Sequence, residues 1–458
     1  MTNTCKIKGN SWLSQILNTV DDIVFLAVDL DSVSFEGFSV DGQGNGQLSA
    51  GLIQINACSN FRVRDVEIKN AGTVGAHSPN GVNGLSIATD AYPSGEKSSG
   101  IIDSCVFRNC TKAPLNWTTY AEKGVIANSE FYDSVGNSQT PAMQINGGRD
   151  FKMVSNRVER TEGAGVLIAA VGTTPGYAGR SIESMNNTFI DIGSLGEIND
   201  AKYAYVIADG FSTGEVGSIK ISNDVLTGCE NGFMRSISGI DDITVDSCNI
   251  KNTTGAFDLT DVTNSEFNNN NITDFNVRNI SSAYAYFLRD CSDISVSGGI
   301  VKSINDVTPG VLLGANSGLS TGIRINNVEL YGVTRIMNSN EVEFFEDTEI
   351  EVNLNKTAIA SINTDIQLLA IPDGRTVSFE CECYAADGAV FSNQKIQGIA
   401  NAVAGTATLI QNSFVFDTKA GIATGLFFDI TGSNTMRLRY LNNHTSDMDL
   451  KMKIKIKM

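Results

Sequence analysis

One short phrase recurs along the chain. It reads "NNTFIDIG" from Asn186, "NSEFYDSVG" from Asn128, "SCVFRNC" from Ser104, "SNDVLTG" from Ser222, "SCNIKNTTG" from Ser247 and "NNNITDF" from Asn269. Each copy is a polar or small pair, a spacer, an apolar residue, and then an Asp, Asn or Thr. Aligned on the apolar residue, the copies form a ladder: Ile68, Phe107, Phe131, Val158, Phe189, Val225, Ile250, Ile272 and Leu330. A second ladder runs two places further on, through Asn70, Asn109, Asp133, Arg160, Asp191, Thr227, Asn252 and Asp274. Asn and Asp tolerate left-handed backbone and bond to nearby main chain, so this second ladder marks corners. Self-similarity at such a period is the signature of stacked repeat units.

Between the phrases runs a second apolar segment, such as "GLSIA" from Gly84, "AMQIN" from Ala142, "GVLIA" from Gly165, "YAYVIA" from Tyr203 and "AYAYFL" from Ala283. These segments are too short, and too punctuated by Gly and Asn, to be helices. Short strands wound in one direction with a constant apolar ladder stack into a parallel β-helix. A sandwich would need regular Asn-Gly hairpins, which the repeats lack. The expected fold is all-β: a right-handed parallel β-helix over residues 31–352, followed by a C-terminal antiparallel β-sandwich over 353–458. In that second region the pattern changes to alternation, as in "RTVSFECECYA" and "MRLRYLNNH". Residues 1–30 are expected to cap the first coil, with a short helix placing Trp12, Leu13, Ile16 and Leu17 on one face.

Composition narrows the function classes. A net charge of −18 opposes binding to nucleic acid, whose phosphates need a basic surface. The one dense basic stretch, "LKMKIKIKM", alternates Lys with apolar residues and reads as a strand with one wet face. No apolar run is long enough to span a membrane, and the first residues lack the apolar core of a secretion signal. The nine cysteines include no C-x-x-C pair, and His77 and His444 have no companions at ligand spacing. The cysteines read as small buried side chains, and neither a metal nor another cofactor is expected.

A parallel β-helix followed by a terminal sandwich resembles the tailspike proteins of bacteriophages, and "VSFEGFSVDGQGNGQ" resembles the first coil of pectin-lyase-like proteins. The resemblance implies a homotrimer that binds, and usually degrades, capsular or O-antigen polysaccharide. It also implies assembly in the host cytoplasm, a virion location, and attachment to the phage tail or baseplate through an N-terminal region missing here. The enzymatic signatures of relatives are absent. Asn363-Thr364-Asp365 and Asp241-Asp242 match two polygalacturonase motifs only in isolation and in the wrong order, and the Arg-x-Pro-x-x-Arg of pectate lyases does not occur.

Candidate site residues follow from interruptions of the repeat, because insertions in a solenoid project from one edge and build grooves. The coils between Val158 and Gly210 carry the densest carboxylates. Glu162 and Asp209 flank apolar strands and are the leading acid/base pair for glycosidic hydrolysis, with Glu197 and Asp200 as loop-borne alternates. Tyr177, Arg180 and Lys202 would orient the sugar. Trp117 would stack on a sugar ring if it faces outward. His77 with Tyr92 would serve a polysaccharide lyase, the competing chemistry. A third class, a glycan-binding spike without cleavage, needs amides and aromatics but no carboxylate pair. The acidic chain favours a neutral or lightly charged polymer.

Overall fold

The computed structural model describes residues 4–458 except 47–49, 73–80, 89–97, 118–120, 135–140, 170–179, 194–201, 209–215, 238, 280–282, 305–309, 316, 334, 338–344, 359–362, 372–373, 388–389, 404–405, 421–423, 432–434 and 443–446. The chain divides into two compact units, Met1–Thr253 and Thr254–Met458.

In the first unit each full coil contributes three strands. One coil is Arg149–Val154, Arg157–Thr161 and Val166–Ala169; the next is Arg180–Met185, Thr188–Ile192 and Tyr203–Ala208. Each strand pairs in parallel with its counterpart one coil on. The apolar ladder is in register: Ile68 opposes Phe107, then Phe131, Val158, Phe189, Leu226 and Ile250. All seven are buried, and the rings of Phe107 and Phe131 stack with centroids 4.8 Å apart. The ladder corrects one expectation. Leu226, not Val225, points inward, and Val225 is 37% exposed.

The second ladder is a left-handed corner. Asn70, Asn109, Asp133, Arg160, Asp191 and Asn252 have φ of 54, 51, 51, 53, 52 and 57°, and Gly228 fills the slot assigned to Thr227 with φ 74°. The one-residue slip at Val225 carries through to this corner. The polar pair that opens each phrase has its own role. On four successive coils its second member turns inward and accepts a backbone N–H from the preceding coil. Ser129 Oγ accepts from Cys105, Asn156 Oδ1 from Ser129, Asn187 Oδ1 from Asn156 and Asp224 Oδ1 from Asn187, at 3.2, 3.1, 2.9 and 2.7 Å. A buried N–H left unpaired would be costly, so the repeat keeps a polar side chain there.

The expected N-terminal helix is not formed. Residues 11–14 make a turn closed by Ser14 N–H on Ser11, and Gln15–Leu17 is a strand on Ser39–Asp41. Thr4–Lys8 likewise pairs with Ser32–Glu36. The open edge of the first coil offers unpaired backbone groups, and satisfying them outweighs the helical spacing of the apolar residues. Leu13, one of the four, is 94% exposed.

The second unit has coils of its own, with Phe257–Thr260, Tyr284–Arg289 and Val311–Gly314 in one stack. Its inner ladder passes from Ile272 through Val301 to Leu330 and Leu354. Val301 is a rung the phrase misses, because Gly298 and Gly299, both at positive φ, replace the usual Asn.

The strand Glu349–Ala358 ends the parallel stack. It pairs in parallel with Arg324–Tyr331 on one side and antiparallel with Met448–Lys457 on the other. The expected boundary at 352/353 falls inside this strand, which belongs to both patterns. Thr376–Asp387, Val390–Val403 and Thr406–Ala420 extend the antiparallel sheet. A second antiparallel sheet, Asn363–Ala370, Thr435–Asn442 and Thr424–Thr431, packs on it. The rings of Phe379 and Phe428 meet across the layers with centroids 4.0 Å apart, so the two sheets form the sandwich. The basic tail is its structural strand: Met448, Leu450, Met452, Ile454 and Ile456 are buried and the lysines face outward.

Candidate active site at a corner of the coils

The residue four places beyond the inward apolar residue leaves the left-handed corner and precedes the second sheet. Stacked coils put these residues in one row: Gly72, Thr111, Glu162, Gly193 and Glu230. Backbone bonds hold the row, from Glu162 N–H to Ser134, from Gly193 N–H to Thr161 and from Glu230 N–H to Ile192. Glu162 and Glu230 thus occupy the same slot two coils apart, a separation of about 9.6 Å at one coil per strand spacing. Glu162 is only 6% exposed, and the Glu230 side chain 25%.

Between them lies Lys202, whose side chain is 2% exposed and whose Nζ donates to Glu230 Oε2. Its stem crosses Gly193. A Cβ there would sit 2.6, 2.7 and 2.9 Å from Cβ, Cγ and Cδ of Lys202, and Gly193 has φ +79°. Only glycine serves, both for the backbone and for the lysine that covers it. Next to this row, Arg160 pairs with Asp133 at 2.6 Å and with Glu159, and Arg157 pairs with Glu159 at 2.7 Å.

The second sheet leads away from this corner, and its outer face carries a polar row. Gln54, Ser86, Asn116 and Gln144 oppose one another on successive coils, followed by Leu167, Val206 and Arg235. Gln54 Oε1, Asn116 Oδ1 and Asn146 Oδ1 are buried without a hydrogen-bond partner among the described residues. Gln54 and Asn116 stand two coils apart in this row with Ser86 between them, and Asn146 lies two residues beyond Gln144; amide groups of this kind suit the hydroxyl groups of a sugar chain.

Of the residues singled out from sequence, Glu162 and Lys202 come together at this corner. Arg180 does not. It is exposed at the start of Arg180–Met185, beyond the far end of Val166–Ala169, more than about 13 Å along the coil from Glu162 at the usual strand rise. Trp117 is a correction. It is fully buried between the ring edges of Phe61 and Phe151, each 4.8 Å away, and its Nε1 donates to Ser98 Oγ at 3.1 Å, so no sugar reaches it. Asp209, Glu197, Asp200, Tyr177, His77 and Tyr92 lie outside the described residues. The strand before Asp209, Tyr203–Ala208, ends in register with Ala169, the end of the sheet remote from Glu162. Sequence reasoning missed Glu230. The signal was present: counted from Leu226 rather than Val225, Glu230 falls in the Glu162 slot.

A buried polar cluster lies inside the same coils. Asp224 accepts hydrogen bonds from Tyr205 OH, from Ser184 Oγ at 3.2 Å and from Asn187 N–H at 2.7 Å. Burial pushes its carboxyl up to about 6 despite these bonds. It faces the core and no solvent, so it belongs to the ladder and not to the site.

No protein-family model matches this chain, and no curated protein sequence matches it. Solved structures do. The A-module of the Azotobacter vinelandii mannuronan C-5 epimerase AlgE6 is 12% identical over 73% of this chain and 87% of its own, with a TM-score of 0.52. The enzymatically active domain of bacteriophage CBA120 tailspike protein 2 is 8% identical over 98% of this chain and 75% of its own, with a TM-score of 0.42. Tailspike gp61 of Pseudomonas phage phi297 is 11% identical over 93% of this chain and 67% of its own, with a TM-score of 0.39. The likeness to the epimerase module is one of fold, and the fold is a parallel β-helix.

Proposed function

We propose that the protein is a phage tailspike that binds and depolymerises a bacterial capsular or O-antigen polysaccharide by glycosidic hydrolysis. The observation that carries the reading is the pair Glu162 and Glu230, in one slot on next-adjacent coils. Backbone slots about 9.6 Å apart along the stack put the two side chains within reach of the carboxylate separation of inverting glycosidases, about 6.5–9.5 Å, which leaves room for a water. Glu230, ion-paired to Lys202, is the base that takes a proton from water. Glu162 is the acid that protonates the glycosidic oxygen. The water oxygen bonds to the anomeric carbon as the bond to the leaving sugar breaks, and the configuration inverts. The amide row from Gln54 to Gln144 holds the polymer. The AlgE6 module, which shares the fold, is named for action on mannuronan, itself a polysaccharide. The net charge of −18 favours a neutral or lightly charged polymer. The working form in this reading is a homotrimer on the virion.

One observation favours a second reading. Lys202 covers Gly193, between the two carboxylates, and an ammonium fixed there leaves a glycan-binding spike without cleavage. Incubation with purified capsule from a susceptible strain separates the readings. Hydrolysis releases reducing ends without ultraviolet absorbance, and a lyase releases both. Binding without either change supports the second reading.

A further inference from the structure

We infer a second glycan-binding site, separate from the corner, on the outer face of the C-terminal antiparallel sheet. Four neighbouring strands place Tyr331, Asn355, Lys451 and Tyr384 directly opposite one another, with Asn393 next in the row. The two tyrosines are 38% and 46% exposed and stand three strand spacings apart, about 14 Å. They border a cleft of about 480 Å³.

Most of the charged groups in the cleft have partners among the described residues. Glu329 accepts from Asn355 Nδ2 at 2.8 Å, and Glu382 pairs with Lys395 at 2.8 Å. Of the outward lysines of the last strand, Lys453 and Lys455 pair with Glu351 and Lys457 with Glu349. Lys451 alone of the four has no ion pair among the described residues. It stands in the row between Asn355 and Tyr384, with Tyr331 and Asn393 one strand further out on either side. Aromatic faces take the apolar face of a sugar ring, amides take its hydroxyls, and an unpaired ammonium takes one acidic substituent. The ligand class is a short stretch of a polysaccharide that carries one carboxylate or other anionic group per repeat. A densely acidic chain is disfavoured, because Glu329 and Glu382 line the same cleft as Lys451.

The test uses the full-length chain against an array of purified capsular and O-antigen oligosaccharides, neutral, singly acidic and densely acidic. The wild type binds singly acidic members. Tyr331→Ala and Tyr384→Ala each weaken that binding about tenfold, the size of one lost aromatic contact. Phe at either position keeps it. Lys451→Met weakens it and abolishes its dependence on salt. Reducing-end release from short oligosaccharides at the corner stays at the wild-type rate in all these variants, so failure here is distinct from failure of the hydrolytic reading. Three results overturn the inference: a wild type that binds no member, tyrosine variants that bind unchanged, or Tyr331→Ala and Tyr384→Ala variants that shift in light scattering to a smaller assembly. The last would make this face a contact between copies of the chain.

Discussion

Replacing Lys202 by Met removes a charge and little else. The Met side chain keeps the stem that covers Gly193, so the packing contribution is largely retained. What changes is the ion pair, in which the lysine side chain is 2% exposed and the Glu230 side chain 25%. Removing one partner of a buried pair costs about 3–5 kcal/mol, since the other is left without compensation. Glu230 recovers some hydration at its exposed quarter, which lowers the expected loss to about 2–3 kcal/mol. Glu230→Gln strands the deeper partner and should cost more, about 3–5 kcal/mol. The double variant should lose less than the sum of the two, with a coupling of at least about 1 kcal/mol. Urea unfolding at neutral pH, followed by far-ultraviolet circular dichroism, measures all four corners of this cycle. The coupling should barely change between low and high salt, because a buried pair is weakly screened. A Lys202→Met variant within about 0.5 kcal/mol of wild type, as for an ordinary surface change, refutes the embedded pair.

Three further outcomes test the interior. Asp224 has its carboxyl raised to about 6 by burial, so the folded state holds a proton the unfolded chain releases near pH 4. Its stabilising contribution is present below pH 4 and is lost as pH rises to 6, by about 3 kcal/mol for two pKa units. The Asp224→Asn variant should gain on wild type by that amount across the same window, and parallel pH profiles would count against the assignment. Trp117→Ala should cost about 3–5 kcal/mol, as for a large core side chain, and leave capsule binding per folded molecule unchanged; weaker binding would return Trp117 to the site. Eight of the nine free cysteines are buried and Cys5 is partly exposed. Titration with a thiol reagent should find at most one reactive group in the native protein and all nine after unfolding. Fast reaction of several native thiols would contradict the packing.

The fold was legible because a solenoid writes the same physical demand into every coil. An inward apolar residue, an inward hydrogen-bonding side chain and a left-handed corner recur in order, and each leaves its own residue type. Reading failed where a residue type met two demands. In "SNDVLTG" two apolar residues stand together, and only the inward Asp224 and the positive φ of Gly228 show that Leu226 is the rung. That slip hid Glu230, which shares the Glu162 slot two coils on. The first turn misled for a different reason. Trp12, Leu13, Ile16 and Leu17 carry helical spacing, but the edge of the first coil competes for their backbone, a demand no local pattern records. Trp117 alternates within a three-residue strand, too short to show which face is inside.

The most direct test of the account is depolymerisation of a susceptible strain's capsule by Glu162→Gln and by the charge-free pair Lys202→Met with Glu230→Gln. Thermal melting is measured on the same samples to show that each is folded. The account predicts loss of reducing-end release by at least about a hundredfold in both, the scale of one acid or base group, with capsule binding retained. Folded variants that release reducing ends at the wild-type rate would contradict it, and the site would then lie away from this corner.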